Sequence, residues 1–151
     1  MRNRREALKQ SLAVAGLLGA TGLFPQSAWA FNKNAFEAKS IADAVKAYGA
    51  AAPVESKDVT LTAPEIAENG AVVPMGAAST LAGVKHLLIL VEKNPNALAA
   101  KFDVSDAIEP NVATRTKMGQ TSDVYAVAIT NDGKAFYAKK EVKVTLGGCG
   151  G

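Results

Sequence analysis

The stretch "DVYAVAITNDGKAFYAKKEVKVTL", residues 123–146, decides the fold. Its centre holds Asn131, Asp132 and Gly133. Asp-Gly accepts the positive φ angles that a tight hairpin turn requires. On one side stands "DVYAVAIT", rich in β-branched and aromatic residues. On the other, Val142, Val144 and Leu146 alternate with Lys143 and Thr145, the period of a strand with one buried face. The reading is strand, turn, strand, and the C-terminal third belongs to a sheet.

Working outward, "HLLILVEK" at 86–93 is apolar enough for a central strand covered on both faces. "NPNA" at 94–97 is a turn, and "LAAKFDV" and "VATRTKM" are further strands. Upstream, Val59 and Leu61 alternate with Thr60 and Thr62, residues 64–68 read as a short crossing, and "GAVVPM" at 70–75 as a short strand. Residues 35–48 carry a helical pattern instead. Phe36, Ile41, Val45 and Tyr48 share a face that Lys39, Asp43 and Lys46 largely avoid. Gly49 is its stop, and residues 50–55, with Pro53, are a linker. About seven short strands in roughly 95 residues, with turn signals every ten or so, predict a mainly β fold. The expected architecture is an immunoglobulin-like antiparallel β-sandwich with one N-terminal helix. The single cysteine rules out the disulfide of antibody domains.

The chain opens with "MRNRREALKQSLAVAGLLGATGLFPQSAWAF". Arg4 and Arg5 form a twin-arginine pair, residues 11–24 are apolar and glycine-rich, and Ala28, Trp29 and Ala30 form an A-x-A cleavage site. Residues 1–30 therefore read as a twin-arginine signal peptide, cut between Ala30 and Phe31, with a periplasmic destination. The apolar run is too short to span a bilayer comfortably, and no membrane association is expected after processing. Removing Arg2, Arg4, Arg5, Lys9 and Glu6 from the 17 basic and 14 acidic side chains leaves 13 of each. The net charge of +3 thus belongs to the leader, and no nucleic-acid partner is expected. Residues 31–146 suffice for one domain with one core.

A conventional active site is hard to assemble from these residues. His86 is the only histidine and lacks companions for a metal site; it reads as a strand-edge residue with a satisfied hydrogen bond. Asp103, Asp106 and Glu109 resemble a weak calcium loop without the glycine of an EF-hand, and read as a solvated loop. Met75 and Met118 read as core or edge residues. No catalytic residue and no metal ligand are expected in the body of the domain.

The tail is different. Residues 147–151 read "GGCGG" and hold the only cysteine, Cys149. In an oxidising compartment it is a free thiol, an intermolecular disulfide partner or a covalent attachment point. Gly147, Gly148, Gly150 and Gly151 make a thin, flexible arm. Five residues extend at most roughly 16–18 Å, so the arm can enter a deep, narrow cleft of another protein. No cation or helix end in the adjacent sequence would depress an ordinary thiol pKa of about 8.5.

This C-terminal "VKVTLGGCGG" resembles that of the SoxY family, the sulfur-carrying subunits of the bacterial thiosulfate-oxidising Sox system. The twin-arginine leader, "VPMGA", "LLILVEKNPNALAAKFDV" and "RTKMGQTSDVYAVAITNDGKAF" are similar to the family as well. The resemblance covers nearly the whole mature chain. It implies that Cys149 is the covalent attachment site for sulfur intermediates and that the glycines around it are the swinging arm. It implies a SoxZ-like β-sandwich subunit as heterodimer partner, with higher oligomers through Cys149 disulfides. It also implies a c-type cytochrome that joins thiosulfate to the thiol, a hydrolase that releases sulfate, and in some pathways a sulfur dehydrogenase. On this reading the protein is no enzyme and has no cofactor beyond the sulfur on Cys149.

Two other readings stay open on the sequence. One is a small periplasmic thiol oxidoreductase with Cys149 as nucleophile, which needs a pocket around the sulfur. The other is a ubiquitin-like carrier bearing sulfur as a thiocarboxylate on Gly151. The export leader and the strand pattern oppose it.

Overall fold

A computed structural model describes residues 32–145. The leader, the cleavage site between Ala30 and Phe31, and the arm of Gly147, Gly148, Cys149, Gly150 and Gly151 lie outside the described residues.

The core of the molecule follows from one strand, β5 (Val84–Val91). Leu87, Leu88, Ile89, Leu90 and Val91 are all fully buried. Successive side chains of a strand point to opposite faces, so a run like this needs cover on both. Leu87, Ile89 and Val91 pack into the cluster between two sheets, with Val59, Val73, Met75, Val124 and Val142. Leu88 and Leu90 pack on the other face, with Ala35, Ala44, Val45, Val127 and Ile129. Each such side chain contributes roughly 1.5–3 kcal/mol.

The larger sheet has the order β1-β9-β8-β5-β6, with β3 also beside β9; the smaller has the order β2-β4-β7. The strands are β1 (Val54–Glu55), β2 (Val59–Thr62), β3 (Ile66–Ala67) and β4 (Val73–Ser79), then β5. There follow β6 (Leu98–Asp103), β7 (Asn111–Thr116), β8 (Ser122–Thr130) and β9 (Ala135–Val144). The two sheets enclose the first cluster as a β-sandwich. β2-β4-β7 follows the A-B-E order of immunoglobulin-like domains, and β9-β8-β5-β6 the G-F-C-C′ order.

The expected sandwich is present, with four differences. The sheet is not purely antiparallel: β1 and β3 each run parallel to β9. Both lie in segments read as linker and crossing, because two residues are too few to show a period of two. The expected strand at 70–75 starts later, at Val73, since Asn69 accepts from the Ala71 and Val72 N–H groups and turns the chain. The single helix is two short ones, α1 (Lys33–Phe36) and α2 (Ile41–Lys46). Ser40 breaks them apart. Its backbone is extended, and its hydroxyl accepts from the Asp43 N–H at 3.1 Å as an N-cap. The second helix ends at Lys46 with Ala47 as its cap, two residues before the expected end at Tyr48, and Gly49, at φ +73°, turns the chain after it.

The hairpin turn differs in type. Of its residues only Gly133 has a positive φ, +78°. The Gly133 N–H donates to the Thr130 carbonyl and the Thr130 N–H to the Lys134 carbonyl, both at 3.0 Å. This is a three-residue loop closed by a left-handed glycine. Asp132 stays outside the left-handed region and instead accepts from the Thr130 hydroxyl and from Lys134. Those contacts, Lys134 first, hold its carboxyl down at about 2.

Candidate functional site

The site expected from the sequence begins where β9 ends. Two segments grip that end from either side. β3 runs alongside it, with Ile66 opposite Lys143 and Ala67 opposite Val144. The Lys143 N–H donates to the Glu65 carbonyl at 2.9 Å, and the Thr145 N–H to the Ala67 carbonyl at 3.1 Å. From the other side the Val144 N–H donates to the Thr121 hydroxyl at 3.0 Å. The Met118 N–H donates to the Gly70 carbonyl at 2.7 Å, closing the layer beneath. Gly70 is there for want of space: a Cβ would collide with the Met118 carbonyl oxygen and sit 2.9 Å from Val144 Cγ1.

The backbone is therefore held through Thr145. Only three residues separate Thr145 from Cys149, a reach of at most roughly 14 Å between their Cα atoms. The sequence reading located the thiol and its glycines, and it missed these positioning residues. Gly70 was a visible signal, but its partner Met118 is distant in sequence.

His86 lies at the other end of the sheet. It pairs with Ile129, which pairs with Ala135, the first residue of β9. The 10 residues of β9 then carry the chain about 30 Å away, at ~3.3 Å each. His86 and the end of β9 thus stand at opposite ends of the sheet, while Cys149 lies outside the described residues.

His86 has local partners instead. Its Nδ1 is 2.7 Å from Asp103 Oδ1, which also takes Lys101 Nζ at 2.6 Å. The two atoms are within hydrogen-bond distance, although the ring nitrogen is not well aligned on the carboxylate. The His86 ring stands 5.4 Å from that of Tyr48, and Lys101 Nζ lies 5.7 Å from the centre of the same tyrosine ring. Burial, helped by Lys101, pushes the imidazole below its ordinary value against the pull of Asp103. Burial would raise the Asp103 carboxyl, but Lys101 and then His86 hold it below its ordinary value. Burial and then Asp103 push the Tyr48 phenol up. The group ties the residues after α2 to β5 and β6 and sits far from the arm.

The other candidates are accounted for. Met75 and Met118 are buried in the core, and Met75 Sδ accepts from the Thr116 hydroxyl at 3.0 Å. Asp103 is engaged with His86 and Lys101, while Asp106 and Glu109 are exposed. Among the described residues no three His, Cys, Asp or Glu side chains cluster to hold a metal ion. No described helix is long and apolar enough to cross a membrane. A shallow cavity of about 540 Å³ opens on the smaller sheet, lined mainly by small residues such as Gly76, Ala78 and Ala113, with Arg115 at its border.

A family described as "Sulfur oxidation protein SoxY" matches residues 44–149, a stretch that includes Cys149. Among solved structures the chain is similar to the sulfur carrier protein SoxY from Chlorobium limicola f thiosulfatophilum. Sequence identity is 37%, over 69% of this chain and 94% of that one, with a TM-score of 0.61. A superoxide reductase (neelaredoxin) from Ignicoccus hospitalis is 18% identical over 58% of this chain and 80% of its own, with a TM-score of 0.51. That likeness concerns the fold alone. No curated protein sequence matches the chain.

Proposed function

Because the chain belongs to the SoxY family, we propose that it is a covalent carrier of sulfur intermediates in thiosulfate oxidation, loaded on the Cys149 thiol. The observation that carries this reading is the family match running through the one cysteine, at the end of a chain whose last strand is gripped to Thr145. A rigid domain with a short glycine arm suits delivery of one sulfur to several enzymes in turn.

The chemistry is that of a sulfur–sulfur bond. Thiosulfate and the Cys149 thiol join as a thiosulfonate, releasing one proton and two electrons. A c-type cytochrome takes the electrons. Water then cleaves the outer sulfur–sulfur bond: sulfate leaves with a proton, and a persulfide remains on Cys149. The carrier supplies the sulfur atom and the reach, and its partner enzymes supply the catalysis. It is no enzyme itself and holds no resident cofactor.

On this reading the chain pairs with a SoxZ-like β-sandwich subunit and works in the periplasm. Residues 1–30 direct it there by the twin-arginine route, with cleavage before Phe31.

Intact mass of the protein from thiosulfate-grown cells tests the proposal. Wild type should carry the mass of thiosulfate or of sulfur atoms, removed by reductant and mapped to Cys149. Cys149→Ser should carry none and should abolish thiosulfate-dependent turnover of the reconstituted system. Sulfur on the Gly151 carboxyl, or full turnover of Cys149→Ser, would overturn it.

A further inference from the structure

Four large apolar side chains are exposed among the described residues: Val54 at 61%, Ile66 at 56%, Val72 at 51% and Ile108 at 60%. Isolated exposed apolar residues are ordinary. Their placement here is not even. Val54 pairs with Phe136 at the start of β9, and Ile108 follows β6, whose last residue pairs with His86. Both belong to the end away from the arm.

Ile66 and Val72 both lie on one of the two segments that meet the end of β9. Ile66 is one strand spacing, ~4.8 Å, from the backbone of Lys143. Val72 follows two residues after Gly70, which is packed against Val144; two residues span at most ~7 Å. Both therefore lie within about 10 Å of the last residues of β9. The arm carries Cys149 at most roughly 14 Å from Thr145. An enzyme that takes the thiol into a deep cleft must bring the mouth of that cleft down onto this end of the sandwich.

We propose that Ile66 and Val72 form an apolar rim beside the arm's root, on which the enzyme that loads Cys149 seats the mouth of its cleft. The inference rests on the carrier reading above. The occupant is an enzyme with a narrow cleft that admits backbone and one sulfur, bordered by an apolar lip. Other occupants, including the partner subunit or a second copy of this chain, are outcomes of the test.

The test uses the mature chain in complex with its partner subunit. Ile66→Thr with Val72→Thr removes apolar area while keeping β-branched side chains that suit the strand. Steady-state loading is measured as a function of carrier concentration. The expected result is a KM for the carrier raised roughly tenfold, with kcat retained. Alkylation of Cys149 by a small reagent should be unchanged, and so should association with the partner subunit. Val54→Thr with Ile108→Thr should leave KM unchanged. An unchanged KM in the rim variant overturns the rim alone, provided wild type is loaded. Loss of the partner subunit or of self-association overturns it too, by giving the rim to another occupant. Wild type that is not loaded at all overturns the carrier reading and the rim together.

Discussion

The N–H of Thr145 donates to the carbonyl of Ala67 at 3.1 Å, across a parallel pairing of β3 with the last strand. This bond ties down the last described residue before the glycine arm. It makes the free length a property of the fold as well as of the sequence, because releasing β3 would lengthen the tether by the residues it now holds.

Gly70→Ala tests that grip. The added methyl collides with the Met118 carbonyl and crowds Val144, so one of the two must move. The expected cost is about 1–3 kcal/mol, seen as a lower denaturant midpoint. Hydrogen exchange at the Lys143 and Thr145 amides should quicken. Gly119→Ala, where nothing lies within 4 Å of the new carbon, should be close to neutral. Equal effects from the two substitutions would contradict the packing argument.

The arm itself is tested by Gly147→Pro with Gly148→Pro. Proline fixes φ and thickens the chain, so entry into a partner's cleft should suffer while the thiol stays free. Alkylation by a small reagent should proceed at the wild-type rate, with turnover in the reconstituted system sharply lower. Full turnover would mean that the glycines do not act as a flexible arm.

His86 predicts a pH dependence of stability. Its folded-state value lies below the ordinary 6.5. As pH falls below 6.5 the unfolded chain takes up a proton that the folded one resists, so stability is full above that value and declines beneath it. Asp103, held below its ordinary 3.8, contributes stability that is lost only at still lower pH. The melting temperature should therefore fall between pH 7 and 5, and His86→Gln should flatten that slope. An identical slope in the variant would place its cause elsewhere.

Export is tested by Arg4→Lys with Arg5→Lys. Both the chain and its partner subunit should stay in the cytoplasm if they travel together, as the twin-arginine route carries folded cargo. Fractionation and immunoblotting decide it, and export of the partner alone would end the idea of a shared journey.

The sequence by itself determined the β-class of the fold and its buried centre. Leu87 to Val91 are apolar without a break, and Asn131, Asp132 and Gly133 separate two strand-like runs, both local signals. It also located the thiol and its glycines, since one cysteine between pairs of glycines needs no tertiary context to be noticed. The break between the helices was missed: Ser40 followed by Asp43 is a capping signal, but the apolar period runs across it. Tertiary structure alone decided the grip on the arm. β3 is two residues long, too short for any period, and the parallel pairing of Ile66 with Lys143 joins positions far apart in the chain. The separation of His86 from the end of β9 was equally out of sight. It depends on which way β9 runs from its hairpin, and a one-dimensional pattern records the spacing of residues but not the direction in which the folded strand carries them.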